Sequence, residues 1–104
     1  MHARLIEFSG ADAGRREQML QTIQEKVLPM LRTYDGFAGY LALYDEDGSR
    51  AKAVILWETE EAGVAAEETL AERRRQISGE VGLTIDSEDL YEAVVVEFEA
   101  ARIS

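Results

Sequence analysis

The 104-residue sequence predicts an α+β fold of the ferredoxin-like type, a four-stranded antiparallel sheet with both helices on one face. Three observations lead there. The stretch from Gly36 to Gly63 holds two apolar runs, Phe37 to Tyr44 and Ala51 to Trp57, separated by an acidic, glycine-containing turn and followed by a helix start. A strand pattern and then a helical one precede this unit. A helical pattern and then a strand follow it, so the order is strand, helix, strand, strand, helix, strand. Absence of a linker, repeat or low-complexity tract makes residues 1–104 one expected domain.

Residues Ala3 to Phe8 read as the first strand, with Leu5, Ile6 and Phe8 as buried candidates. Gly10, Asp12 and Gly14 mark a turn, and the Asp12 carboxylate can accept from free N–H groups of a first helical turn. Leu20, Ile23, Val27 and Leu31 follow at spacings of three and four, one face of an α-helix. Pro29 lies inside this pattern and removes a backbone donor, which predicts a kink or an end to the regular part. Tyr34, Asp35 and Gly36 form the stop.

The hairpin turn falls at Asp47-Gly48, both of which tolerate positive φ. On the returning strand Ala51, Ala53, Ile55 and Trp57 share one face. Thr59 caps the second helix, with Glu60 and Glu61 in a first turn whose dipole favours negative charge. Ala62, Ala66, Leu70, Ile77 and Val81 continue its apolar stripe, and Gly79 or Gly82 ends it. The last strand is placed at Leu90 to Phe98.

Helices cover one sheet face only. Alternation puts Tyr40, Ala42, Tyr44, Tyr91, Ala93 and Val95 on the other, an apolar surface of the kind that marks an interface. A homodimer packed sheet on sheet is therefore expected. Acidic and basic residues number 21 and 11, and the net charge of −10 repels nucleic-acid backbones and anionic bilayers alike. No window approaches a membrane span, and no apolar run near the start suits a signal peptide, so the expected location is cytoplasmic. Zero cysteines exclude a disulfide scaffold, a thiolate metal site and a cysteine nucleophile.

Few residues carry chemistry by pattern. The stripe on the second helix has a gap of seven between Leu70 and Ile77, which only Arg73 or Arg74 can fill. One guanidinium should lean toward the sheet, either holding a phenolate, carboxylate or oxyanion, or reaching the rim to pair with Glu67, Glu68 or Glu80. Tyr40, Tyr44 and Tyr91 are placed on one sheet face, as ligand hydrogen-bonders or as interface aromatics. His2, the sole histidine, falls at a terminus expected to fray and makes a poor catalytic candidate. Asp45, Glu46 and Asp47 open like a calcium loop, but its twelfth position would be Leu56, so they read as a turn. No cofactor is expected. Gly10 and Gly14 lack dinucleotide-site spacing.

The helix ending in P-M-L-R-T-Y-D-G-F-A-G-Y, the hairpin, and then I-L-W-E-T-E-E-A resemble the antibiotic biosynthesis monooxygenase family of the dimeric α+β barrel superfamily. The resemblance runs from about Leu5 to Phe98 and rests on structural motifs. It implies a dimeric barrel and, in the oxygenase branch, cofactor-independent oxygenation of a phenolic or polycyclic small molecule. Trp57 matches the family's strand-three tryptophan, which in that branch helps line the substrate cavity; the alternative is a large core side chain. Trp57, one of Arg73 and Arg74, and Tyr40 are then the candidate substrate-binding residues. The haem-degrading branch uses a helix-two histidine and a strand-one asparagine; here Gln76 stands in that helix and the chain has no asparagine. The competing expectation is a non-catalytic homodimer, of stress-response type or binding a small apolar metabolite. A cavity of about 300 Å3 or more would separate the two.

Overall fold

The structure, a computed structural model, describes residues 1–45 and 47–99. Its elements are β1 (His2–Ser9), a 3-10 turn (Ala13–Arg15), α1 (Arg16–Thr22), a π turn (Ile23–Val27), α2 (Leu28–Leu31), β2 (Phe37–Tyr44), β3 (Arg50–Trp57), α3 (Glu60–Glu80) and β4 (Thr84–Glu92). The strands form one antiparallel sheet in the order β2-β3-β1-β4. This is the predicted α+β architecture.

Both helix starts follow from local chemistry. The Asp12 carboxylate accepts from the Gly14 N–H, and the Thr59 hydroxyl accepts from the Ala62 N–H. At the far end of α3, Gly82 adopts φ +78°, a left-handed residue that stops the helix. Gly36 is required for two reasons: its φ is +79°, and a Cβ there would lie 2.5 Å from the Ala62 Cβ.

Pro29 acts earlier than its position suggests. The chain makes a π turn over Ile23–Val27, with the Leu28 N–H donating to the Ile23 carbonyl, and regular helix resumes with proline in the first turn of α2, where it is tolerated. The extra residue in that turn rotates the upstream face. Leu20, expected on the apolar stripe, is 42% exposed, and Met19 takes the inward position.

A second irregularity changes the sheet faces. The β2–β3 register shifts between Phe37 and Gly39, so Ala38 is an extra residue, and Phe37, Tyr40, Ala42 and Tyr44 lie opposite Trp57, Ile55, Ala53 and Ala51. Tyr40, Ala42 and Tyr44 therefore face the helices, correcting the expected outer face. Tyr91 is on the opposite side, so the three tyrosines do not share a face. The outer surface stays apolar with different residues: Leu5, Val54, Leu41, Leu43 and Tyr91, the last three 41%, 47% and 52% exposed.

Two further corrections concern the ends. The hairpin closes where the Asp45 N–H donates to the Arg50 carbonyl, enclosing four residues rather than two, and among the described residues only glycines adopt positive φ, Gly48 among them. Glu46 lies outside the described residues. The last strand is Thr84–Glu92, not Leu90 to Phe98. Residues Ala93–Phe98 continue past the sheet, and Val94, Val95 and Phe98 are 83%, 82% and 71% exposed. His2, expected to fray, is the first residue of β1; its imidazole is partly buried and lies 3.4 Å from the Glu60 carboxylate.

The core lies between the sheet and the helices, built on Ile6, Leu31, Ala53, Ile55, Trp57, Ala66 and Leu70. No helix among the described residues is long and apolar enough to cross a membrane.

Candidate active site

A cavity opens between the α1–α2 helical segment, the C-terminal half of α3 and the β2–β3 side of the sheet. The α1–α2 segment contributes Met19, Ile23, Val27 and Met30; the sheet contributes Tyr40, Tyr44, Ala51, Ala53 and Ile55. From α3 come Leu70, Arg74, Ile77 and Ser78. Its volume is about 80 Å3, well under the ~300 Å3 at which drug-sized ligands are usually enclosed. Space exists there because β3 presents alanines at positions 51 and 53, the second of them opposite the bulge-flipped Ala42. Apart from the polar groups of Tyr40, Tyr44, Lys52, Arg74 and Ser78, the lining is apolar.

Of the two arginines left open by the sequence, Arg74 turns inward and is 7% exposed, while Arg73 is exposed, its guanidinium 6.0 Å from the Tyr34 ring centroid. Arg74 occupies the third place in a buried series on α3, Ala66, Leu70, Arg74 and Ser78, each four residues apart. Its guanidinium grips the Glu67 carboxylate with both Nη atoms and lies 3.1 Å from a Glu88 oxygen through Nη1. Arg4 Nε stands 3.6 Å from the same Glu67. Two arginines and two glutamates thus form a neutral quartet across α3, β1 and β4. Glu67 was one of the expected partners, but the pair sits inside the protein rather than at its rim. Neutralisation lets a guanidinium reside on an apolar wall, since an unpaired buried charge costs several kcal/mol. The Nε–H and one Nη2 hydrogen lie beyond these pairs.

Tyr40 faces Ile55 across the sheet, within the same cavity. Burial, reinforced by Tyr44, raises its pKa from 10.0 to about 12, although the Arg74 charge pulls the other way. At neutral pH Tyr40 is therefore a phenol able to donate a hydrogen bond, not a base. Tyr44 is raised too, by burial, against the pull of Arg16, whose guanidinium stacks 5.5 Å above its ring.

Trp57 is not in the cavity wall. It is fully buried at the opposite end of the sheet, in edge-on contact with Tyr34 and Phe37 at centroid distances of 6.3 and 6.1 Å. Among the described residues its indole N–H finds no hydrogen-bond partner. Of the four candidate residues, the structure brings Arg74 and Tyr40 together and leaves Trp57 and Arg73 apart from them.

Sequence reasoning missed Met19, Met30 and Ser78. The spacing of Ser78 four residues after Arg74 was a usable signal; the methionines depend on the π turn, which no local pattern announces. Among the described residues no three histidine or acidic side chains converge as a metal site would require.

No family profile and no curated protein matches the chain. Solved structures do. The ActVA-Orf6 monooxygenase of Streptomyces coelicolor, solved with nanaomycin D, superposes with a TM-score of 0.69 at 16% identity over 95% of this chain and 92% of that one. The fold is that of the antibiotic biosynthesis monooxygenases. SnoaB, a cofactor-independent oxygenase from Streptomyces nogalater, gives 0.65 at 16% identity, covering 94% and 97% of the two chains. A Deinococcus radiodurans protein assigned to antibiotic biosynthesis monooxygenases gives 0.68 at 19% identity, covering 100% and 99%.

Proposed function

We propose that the chain is a single-domain, cytoplasmic, cofactor-independent monooxygenase of an electron-rich phenolic or polycyclic substrate, and that it works as a homodimer joined through the outer sheet face. The observation that carries this reading is a buried, charge-compensated guanidinium and a neutral tyrosine on one otherwise apolar wall. Such a wall accepts a flat aromatic ring and offers hydrogen-bond donors to its oxygen substituents. In the reaction, a ring CH2 and O2 become a ring carbonyl and water. The substrate's own two C–H bonds supply the electrons, so one oxygen atom ends in the product and the other leaves as water. The protein's share is electrostatic: donors on Arg74 and Tyr40 favour the enolate or phenolate form that passes an electron to oxygen. Ser78, also buried on this wall, is a further donor. Likeness to monooxygenase structures, one solved with the ligand nanaomycin D, supports the substrate class.

The 80 Å3 volume favours a second reading, a non-catalytic dimer that holds a smaller apolar molecule. Under the oxygenase reading, ligand entry displaces Met19 and Met30, whose unbranched side chains repack easily. Oxygen uptake and absorbance with a tricyclic hydroxyanthrone discriminate. The oxygenase consumes one O2 per quinone formed, and Arg74→Lys, which retains a charge for Glu67 and Glu88 but loses the planar fork, lowers kcat/KM at least tenfold. Binding without turnover selects the second reading. Absence of binding rejects both.

A further inference from the structure

Arg15 and Arg16 occupy the first helical turn after Asp12, where the helix dipole works against a base. The corresponding turn of α3 carries Glu60 and Glu61. Neither arginine gains an ion pair in exchange. Acids outnumber bases 21 to 11 in this chain, and the cations of the π turn and of β3, Lys26, Arg50 and Lys52, are matched with Glu80, Asp45 and Glu7. Among the described residues no carboxylate lies within ion-pair distance of Arg15 or Arg16. Both lean on the cavity wall instead. The Arg16 guanidinium covers the ring of Tyr44, a half-buried lining residue, so the wall reaches the surface beneath it. Arg15 Nη1 donates to the carbonyl of Val81, another lining residue, at 3.3 Å, and rests so close to Gly82 that a Cβ there would lie 2.6 Å from it.

We propose that Arg15 and Arg16 clamp an anion at the mouth of the cavity, selecting a substrate with a carboxylate on the edge opposite the oxygen held by Arg74 and Tyr40. The inference rests on the cavity being a site for an aromatic ligand and adds the charge that this ligand bears. A guanidinium stacked on a ring keeps its N–H edge for a carboxylate, and Arg15 has donors beyond the one given to Val81. The inner end is unsuited to that charge. Arg74 is already neutralised by Glu67 and Glu88, so a permanent carboxylate beside it meets two others. An uncharged oxygen there accepts from Arg74 or Tyr40 without that repulsion. Tyr40 and Tyr44 lie four residues apart on one face of β2, about 13 Å along the strand. A fused-ring ligand with a hydrogen bond at each end spans this length, neutral oxygens inward and anion outward. The clamp thereby fixes which edge of a flat ring system enters first.

The test is isothermal titration with a matched pair of probes, a hydroxyanthraquinone carboxylic acid and its methyl ester, at low and high salt. The unaltered protein should bind the acid about tenfold more tightly than the ester, with the ratio shrinking as salt rises. Arg15→Gln/Arg16→Gln keeps polar side chains at two exposed positions and should bring the ratio close to one, leaving the ester affinity where it was. Arg16→Lys should retain part of the preference, since it keeps the charge and loses the fork. A ratio that survives in the double variant, or that collapses in Arg74→Lys instead, overturns the clamp. Should the double variant bind neither probe, Arg16→Gln alone decides by the same ratio. Equal binding of acid and ester by the unaltered protein overturns the clamp and leaves the aromatic site standing. Binding of neither probe by that protein overturns both.

Discussion

The two ends of β3 are built to opposite specifications. Along its helix-facing side the residues run Ala51, Ala53, Ile55, Trp57, growing from methyl to indole, while α3 runs antiparallel in size above them, from Gly63 and Ala66 to Leu70 and Arg74. At the Trp57 end the layers interlock so closely that a Cβ on Gly63 would lie 3.2 Å from the indole Cδ1. At the alanine end the same helix and sheet leave an open volume with a guanidinium in its wall. One end holds the fold together and the other is available to bind. Side-chain volume alone, graded along one strand and counter-graded along one helix, separates the two roles.

Substitutions at each end test this division. Trp57→Ala removes the largest buried side chain of the packed end and should cost about 3–5 kcal/mol in urea unfolding, while any ligand contacts at the alanine end persist in protein that remains folded. Glu67→Gln, at the boundary, takes the bidentate partner from Arg74 and the nearest carboxylate from Arg4. Its expected cost is about 2–4 kcal/mol by the same measurement; a near-zero cost would show that the quartet is not a structural link between the ends.

Tyr40→Phe reads the cavity end by pH. The folded protein keeps a phenolic proton that the unfolded chain releases from pH 10.0 upward, because burial raises the folded value to about 12. Its stabilising contribution is complete below pH 10 and is lost as pH climbs through the folded value, by about 2–3 kcal/mol. The variant should lose less stability across that window in paired unfolding curves at neutral and alkaline pH. Smallest of all, Ala53→Val adds methyl groups where there is room. Unfolding should move by no more than about 1 kcal/mol in either direction, but a ring-sized ligand should no longer bind by isothermal titration. Equal damage from Ala53→Val and from a comparable enlargement of Gly63 would erase the comparison.

What was legible beforehand follows the same line. The hairpin, both helix caps and the buried arginine register were written in spacing and in residue type: Thr59 before two glutamates, Asp12 before Gly14, and a seven-residue gap that only an arginine could fill. The sheet faces were not. One extra residue at Ala38 flips every later side chain of β2, and a bulge leaves no mark in an apolar run whose two faces are equally apolar. Hydrophobicity points to Leu90–Phe98 as the fourth strand, but pairing does not follow hydrophobicity here. The residues that pair, T-I-D-S-E-D-L-Y-E, form a solvated edge, and the more apolar segment beyond them joins no strand among the described residues. Trp57 was ambiguous for a different reason, since a tryptophan satisfies core and cavity equally well until the neighbouring side-chain sizes are placed in space.

The π turn over Ile23–Val27 makes the cavity sensitive to counting as well as to chemistry. An α-helix turns about 100° per residue, so if the same residues were wound as ordinary helix, without the extra residue held in the π turn, everything upstream would swing by that angle. Leu20 would then point inward and Met19 outward with composition unchanged, whereas deleting one residue such as Gln24 would remove the π turn and keep Met19 inward. The α1 side of this pocket thus depends on one extra residue being held in the π turn, a matter of backbone path rather than of side-chain type, and one that substitution scanning alone would never sample.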